Sequence, residues 1–248
     1  MIYIILGLVT GLLIGMVGIG GILLAPMLVY IAGIDLHLAM ATSSWSFLFA
    51  GIAGTIAYAR KGTISWEMVG WLSVGVIPGT ILGARVNVSL PTGILTIILA
   101  ALILSSGIFA LIKKPAIKQE KSRVNRIGLV IIGFAVGFGS ALTGTGGPVL
   151  LLPIFLLFSI PSLVAIGVSQ AIQLPIAVFS TVGFFLYGEI DFKLGALLGI
   201  ILAIGVLIGA QIAHRMSAER LRQMVAIALI LAGLLMIVRT LILRASMT

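Results

Sequence analysis

The chain of 248 residues contains no cysteine, only six acidic residues and only two histidines. The first absence excludes a disulfide framework, a thiolate nucleophile and a cysteine metal site. The scarcity of acids and imidazoles weighs against catalysis. His37 and His214 are far apart and lie at segment ends, and no Ser-His-Asp, metal-ligand or phosphate-loop spacing occurs. An enzyme is therefore not expected, nor a cofactor or metal ion. Charge of either sign is sparse: 8% of residues are charged, against roughly 25% in a soluble domain.

What fills the space is apolar. Sixty-one per cent of residues are hydrophobic, and mean hydropathy is +1.33. These values predict an all-α integral membrane protein. At roughly 20 residues per span, the length allows about eight segments and no soluble domain of useful size beside them. The segments read as residues 2–33, 37–59, 66–88, 92–112, 127–158, 161–187, 193–214 and 218–243. Met1-Ile2-Tyr3 lacks a basic n-region, so no cleaved signal peptide is expected.

The net charge of +9 would suggest nucleic acid in a soluble protein. Here Lys and Arg fall mostly in loops, which points instead to orientation signals and anionic lipid headgroups. Residues 113–126 carry Lys113, Lys114, Lys118, Lys121, Arg123 and Arg126 against Glu120. This basic linker is predicted to be cytoplasmic and separates a first membrane repeat, 1–112, from a second, 127–248, within one structural unit.

The halves resemble each other. A shift of 126 superimposes nine glycine pairs, among them 7 on 133, 18 on 144, 20 on 146, 21 on 147 and 79 on 205. About two such pairs would arise by chance from 31 glycines in 248 positions. Ser43 on Ser169 and Thr55 on Thr181 agree with a duplication, while Pro26 and Pro153 slip by one residue. Each repeat holds four segments. Four full crossings would make the repeats parallel; three crossings and a re-entrant first segment would make them inverted. Opposite-facing repeats account better for unequal charge at equivalent loops, Arg85 standing alone where Arg215, Arg220 and Arg222 cluster.

The first segment of each repeat is interrupted. Gly18-Ile19-Gly20-Gly21 leads to Pro26, and Thr143-Gly144-Thr145-Gly146-Gly147-Pro148 leads to Pro153. Glycine clusters followed by proline should break a helix there and free main-chain N–H groups at membrane depth. Such breaks survive only against protein or a water-filled cavity. The start of the half-helix that follows carries partial positive charge, which suits a small anion. The following segments add Thr42, Ser43 and Ser44, then Ser169, Gln170 and Gln173, whose hydroxyls and carboxamides can replace the hydration of an oxyanion. The candidate substrate-binding set is Gly18, Gly20, Gly21, Thr42, Ser43, Thr143, Gly144, Thr145, Gly146, Gly147, Ser169, Gln170 and Gln173. Glycines at four-residue spacing elsewhere, such as Gly7, Gly11 and Gly15 or Gly79 and Gly83, read as helix-packing sites. Asp35, His37, Arg60, Lys61, Glu67, Glu189, Asp191 and Lys193 all sit at segment ends. The core thus lacks the carboxylate or histidine a cation carrier keeps. Arg85 is expected to snorkel, with a role as substrate counter-charge the alternative.

Both glycine runs, the Ala39-Met40-Ala41-Thr42-Ser43-Ser44 and Ala165-Ile166-Gly167-Val168-Ser169 copies, and residues 79–84 with 205–210 together resemble the TauE/SafE family of sulfite-exporter-like permeases. The first glycine run is one residue shorter than the family's usual form, and Pro148 replaces a common third glycine. The resemblance covers nearly the whole chain. It implies a multi-pass cytoplasmic-membrane transporter of small sulfur-containing anions such as sulfite or organosulfonates, working by secondary transport with alternating access. A passive anion channel is the alternative. The expected partners are the anion and membrane lipids, and a homo-oligomer is compatible with the sequence.

Overall fold

The computed structural model describes residues 2–18, 20–112, 124–158, 160 and 162–213, with isolated helical positions between 227 and 238. Most of the basic linker and of the segment at 218–243, with His214, Arg215, Arg220 and Arg222, lies outside the described residues. Among those described there are nine helices and no strands: α1 (Ile2–Val17), α2 (Gly21–Tyr30), α3 (Leu36–Ala59), α4 (Trp66–Ser89), α5 (Thr92–Ile112), α6 (Arg126–Thr143), α7 (Gly147–Leu157), α8 (Ser162–Tyr187) and α9 (Phe192–Ala213). The stretches of α3, α4, α6, α8 and α9 are long and apolar enough to cross a membrane. Side-chain caps start α3 and α6, whereas Ser65 before α4 makes none. Asp35 accepts from the backbone N–H of His37 and Leu38, and Asn125 accepts from that of Gly128.

Both interruptions break the helix. Gly18 adopts φ +78° between α1 and α2, and Gly146 adopts φ +78° between α6 and α7. These are left-handed conformations that cost a residue with a Cβ roughly 1–2 kcal/mol.

Glycine seams set how the helices run. A Cβ at Gly7 would meet Ile201, one at Gly11 would meet Leu202 and Gly205, and one at Gly15 would meet Val206, so α1 and α9 rise together. Gly75, Gly79 and Gly83 abut Val130, Phe134 and Phe138 in the same manner, making α4 and α6 parallel. Thr42 and Trp45 face Gly195 while Phe49 faces Gly199, which aligns α3 with α9. Ile81 and Ala84 face Gly183 and Val88 faces Gly188, which aligns α4 with α8.

One contact between central helices reverses the sense. Gln173 reaches Phe47 and Gln170 reaches Thr55, so α3 and α8 cross antiparallel. Helices α1, α3 and α9 therefore run one way and α4, α6 and α8 the other. Because α1 and α3 share a direction, the intervening α2 carries the chain back; α7 does the same between α6 and α8. One face of the bundle then carries Asp35, His37, Arg85, Glu189, Asp191 and Lys193, and the other carries Arg60, Lys61, Glu67 and Arg126. On that second face Arg126 approaches Glu67 at 3.7 Å and lies over the Trp71 ring.

In lipid no hydrophobic force drives apolar helices together, so close backbone approach through glycine has to hold them. At Gly75 a Cβ would strike the Val130 carbonyl oxygen, whereas at Gly70 nothing lies within 4 Å. Gly75→Ala is expected to destabilise the protein by about 1–3 kcal/mol through overpacking, with Gly70→Ala near neutral. Melting temperatures of the two purified variants check this.

Candidate functional site

The two breaks meet. A Cβ on Gly21, the first residue of α2, would lie 2.6 Å from the Thr145 carbonyl oxygen and 3.3 Å from the Phe47 ring. One on Gly18 would lie 3.3 Å from Pro148 and 2.9 Å from Leu152. The N-termini of α2 and α7 are thus neighbours in the interior, each opening on glycine. Gly20, before α2, receives no side-chain cap. The first N–H groups of α2 and of α7 have no acceptor within their own helix and call for a cap or a ligand. Phe47 floors the site, lying 3.4 Å from a Cβ placed at Gly146.

Hydroxyls line the second break. Thr143 Oγ1 donates to the Gly139 carbonyl at 2.6 Å and lies 2.9 Å from Thr145 Oγ1. The backbone N–H of Thr145 reaches the Ser140 carbonyl at 3.3 Å. Thr143 and Thr145 are 2% and 1% exposed, so these groups face protein interior rather than lipid or water. Ser140 Oγ, also buried, has no partner.

The opposite ends of the broken helices are treated differently. Carbonyls near the ends of α1 and α6 are met by side-chain donors, Ile14 O in addition to the Gly18 N–H that it accepts at 2.8 Å. Gln170 Nε2 donates to Ile14 O at 3.0 Å, Tyr58 Oη to Gly15 O at 3.1 Å, and Asn87 Nδ2 to Leu142 O at 2.7 Å. The carbonyl ends of α1 and α6 thus receive side-chain donors, whereas Gly20 before α2 has no side-chain cap.

Several expected site residues are placed otherwise than a single cluster would have them. Gln170 and Gln173 point their amide nitrogens at the carbonyls of Ile14 and Phe47, leaving Oε1 of each buried without a partner. The hydroxyl of Thr42 turns to α9, accepting from the Asp191 N–H at 3.2 Å. Ser43 and Ser169 are fully buried with unpartnered hydroxyls. They lie on opposite sides of the α3·α8 crossing, because antiparallel helices carry equivalent positions apart. Ser44 bonds back to Met40 O at 3.0 Å, the ordinary habit of a helical serine. Arg85 is exposed, with its guanidinium 5.8 Å from the Tyr187 ring centroid, as snorkelling requires.

Sequence reasoning missed Asn87, Tyr58, Ser140 and Phe47. Asn87 had a signal, being an amide in an apolar segment; the others look like ordinary membrane-helix residues. Among the described residues no group of three or more His, Cys, Asp or Glu could hold a metal ion.

Comparison with known proteins fits this picture. The family model for the sulfite exporter TauE/SafE matches residues 3–236. From Bacillus subtilis strain 168, the protein named "Probable membrane transporter protein YdhB" is 25% identical over 246 residues, covering 96% of this chain and 100% of its own length. Two others from that organism bear the same description. YunE is 24% identical, with 94% of this chain and 95% of its own length covered. YjnA is also 24% identical, with 94% and 98% covered. No solved structure matches significantly.

Gly21→Ala and Gly146→Ala test the junction in distinct ways. At Gly21 the added methyl meets backbone 2.6 Å away, whereas at Gly146 it has room and the cost is the positive φ. Both are expected to lower the melting temperature, Gly146→Ala by the equivalent of about 1–2 kcal/mol of backbone strain. Differential scanning fluorimetry reads both.

Proposed function

The chain belongs to the sulfite exporter TauE/SafE family, and from that premise we propose that it is a secondary transporter carrying a small sulfur-containing anion between the converging N-termini of α2 and α7. The observation that carries the reading is that convergence. Each helix start is equivalent to about +0.5 elementary charge, and two of them side by side in a low-dielectric interior come to about one unit of positive potential. A monovalent oxyanion such as sulfite in its protonated form, or a sulfonate, matches that potential in sign and size. The N–H groups of residues 146, 147 and 149, with the hydroxyls of Thr143 and Thr145, would hold its oxygens. Gly18 and Gly21 keep Cβ atoms off Pro148 and Thr145 at the junction, while Gly20 lets α2 start against α1 and Gly144 lets the second break lie against Met40. Gln170 and Gln173 support it by fixing the neighbouring backbone. Ser43 and Ser169, one on each side of the α3·α8 crossing, line the two approaches.

The wider architecture in this reading is eight segments in two inverted repeats with re-entrant first segments. Its support is the exchange of contacts under the shift of 126: α1 on α9 maps to α6 on α4, α3 on α9 maps to α8 on α4, and repeat mates run antiparallel. The basic residues support a cytoplasmic placement for the linker. Arg60, Lys61 and Arg126 lie on the linker's face beside the linker's own basic residues, against Arg85 and Lys193 on the other. Burial of Thr143, Thr145, Ser169 and Gln170 to 2% exposure or less suits a carrier caught closed. It does not suit a permanently open channel.

Binding to the folded state raises apparent stability, by about 2.7 kcal/mol at a hundred times the dissociation constant. Sulfite, thiosulfate or a short sulfonate is expected to raise the melting temperature of the purified protein, and Gly146→Leu to abolish both that rise and vesicle flux. Saturable wild-type flux separates carrier from channel. Full flux of every tested sulfur anion by folded Gly146→Leu protein would refute the assignment.

A further inference from the structure

Two buried side-chain amides tie the oppositely directed helix groups together, one on each side of the central crossing. On the face of Asp35 and Asp191, Asn87 of α4 is fully buried. Its Nδ2 lies 3.0 Å from Met40 Sδ, and its Oδ1 lies 3.2 Å from His37 Nδ1, both on α3. The same Nδ2 holds Leu142 O at the end of α6. On the face of Arg60 and Lys61, Gln170 of α8 reaches across to Ile14 O of α1, and its own carbonyl accepts from Thr55 Oγ1 of α3 at 3.2 Å.

These links differ in kind from the glycine seams. The seams join helices that run the same way, α9 with α1 and α3, and α4 with α6 and α8, through close contact at glycine. Asn87 and Gln170 instead join one group to the other. On α3 their attachment points, 37 to 40 and 55, are separated by roughly 20 Å of helix at 1.5 Å per residue. The α3·α8 contact at Phe47, Gly51 and Gln173 lies between them. Rocking one group on the other about that contact lengthens the gap at one amide as it closes the gap at the other.

We propose that Asn87 and Gln170 are the two gating residues of the cycle, Asn87 closing the approach from the Asp35 face and Gln170 the approach from the Arg60 face. The proposal rests on the alternating-access reading but not on the identity of the solute. Releasing Asn87 frees α4 and α6 from the start of α3 and opens a way to the second break past Ser43. Releasing Gln170 frees α8 from α1 and opens a way past Ser169. Release at Asn87 parts it from His37 and Met40 while its bond to Leu142 O stays within the α4–α6 pair, and release at Gln170 leaves Ile14 O with the Gly18 N–H, so neither opening strands a buried carbonyl.

The absence of native cysteine makes the test direct. S43C and S169C serve as single reporters in sealed vesicles of known orientation, treated with a membrane-impermeant thiol reagent from one face at a time. N87A is expected to raise labelling of S43C roughly tenfold from the Asp35 face, the shift that loss of one hydrogen bond brings, and to leave S169C no faster. Q170A is expected to do the reverse from the Arg60 face, and N87Q to restore slow labelling in part. Equal acceleration of both reporters by either variant would mean a loosened fold and would overturn the proposal, as would unchanged labelling in both. Labelling needs no anion. Sided labelling without any anion-induced thermal shift would therefore sink the solute assignment and leave the gates standing.

Discussion

Two helix starts pointing at one another inside an apolar layer are an unstable arrangement by themselves. Each brings main-chain N–H groups without acceptors in its own helix and the same sign of partial charge, in a medium that screens neither. The rest of the molecule is organised to make this juxtaposition tolerable. Protein surrounds it, so lipid never meets the open donors. The carbonyl ends of α1 and α6, which would otherwise offset the potential, are taken up by Gln170, Tyr58 and Asn87. What is left over is a pair of adjoining helix starts, and these are the physical basis of the proposed anion site, which has no fixed cationic side chain.

Holding such a centre in place falls to packing. Apolar surface facing lipid yields no driving force for helix association, and large apolar residues such as Ile131 and Phe185 remain exposed on the outside. Attraction comes from close backbone approach along the glycine rows of α1 with α9 and of α4 with α6. Dispersion over these long parallel seams makes two stiff groups. The antiparallel contact between them is α3 on α8, where Gly51 meets Leu174 and Gln173 and Gly54 meets Gln170, and the proposed motion turns on it.

Side-chain polarity follows the same division. Ser44, Ser73 and Thr80 bond to carbonyls on their own helices and help fix local geometry. Asn87, Gln170 and Gln173 bond to other helices and decide how the groups meet. Ser43, Ser140 and Ser169 bond to nothing protein-borne although they are buried, and an unpartnered hydroxyl in such a place is costly. In the proposed function a hydrogen-bonding solute passing these hydroxyls offsets that cost.

Much of this was legible from residues alone. Long apolar runs bounded by charge set the helix limits to within a few residues, because burial in lipid demands continuous apolarity and loops demand the reverse. Glycine located both breaks, since backbone freedom is a local property, whereas Pro26 and Pro153, expected to take part in breaking the chain, lie inside α2 and α7. The shift of 126 already paired the breaks before any coordinates. Tertiary structure alone decided what local chemistry leaves open. It set the direction of each helix against its neighbours, the separation of Ser43 from Ser169 by an antiparallel crossing, and the turning of the Gln170 amide towards Ile14 O instead of a solute. It also decided the burial of Asn87 between His37, Met40 and Leu142. Helix and break are written in neighbouring residues, whereas the partner of a buried amide depends on which carbonyl, more than fifty positions away, the packed backbone brings within 3 Å.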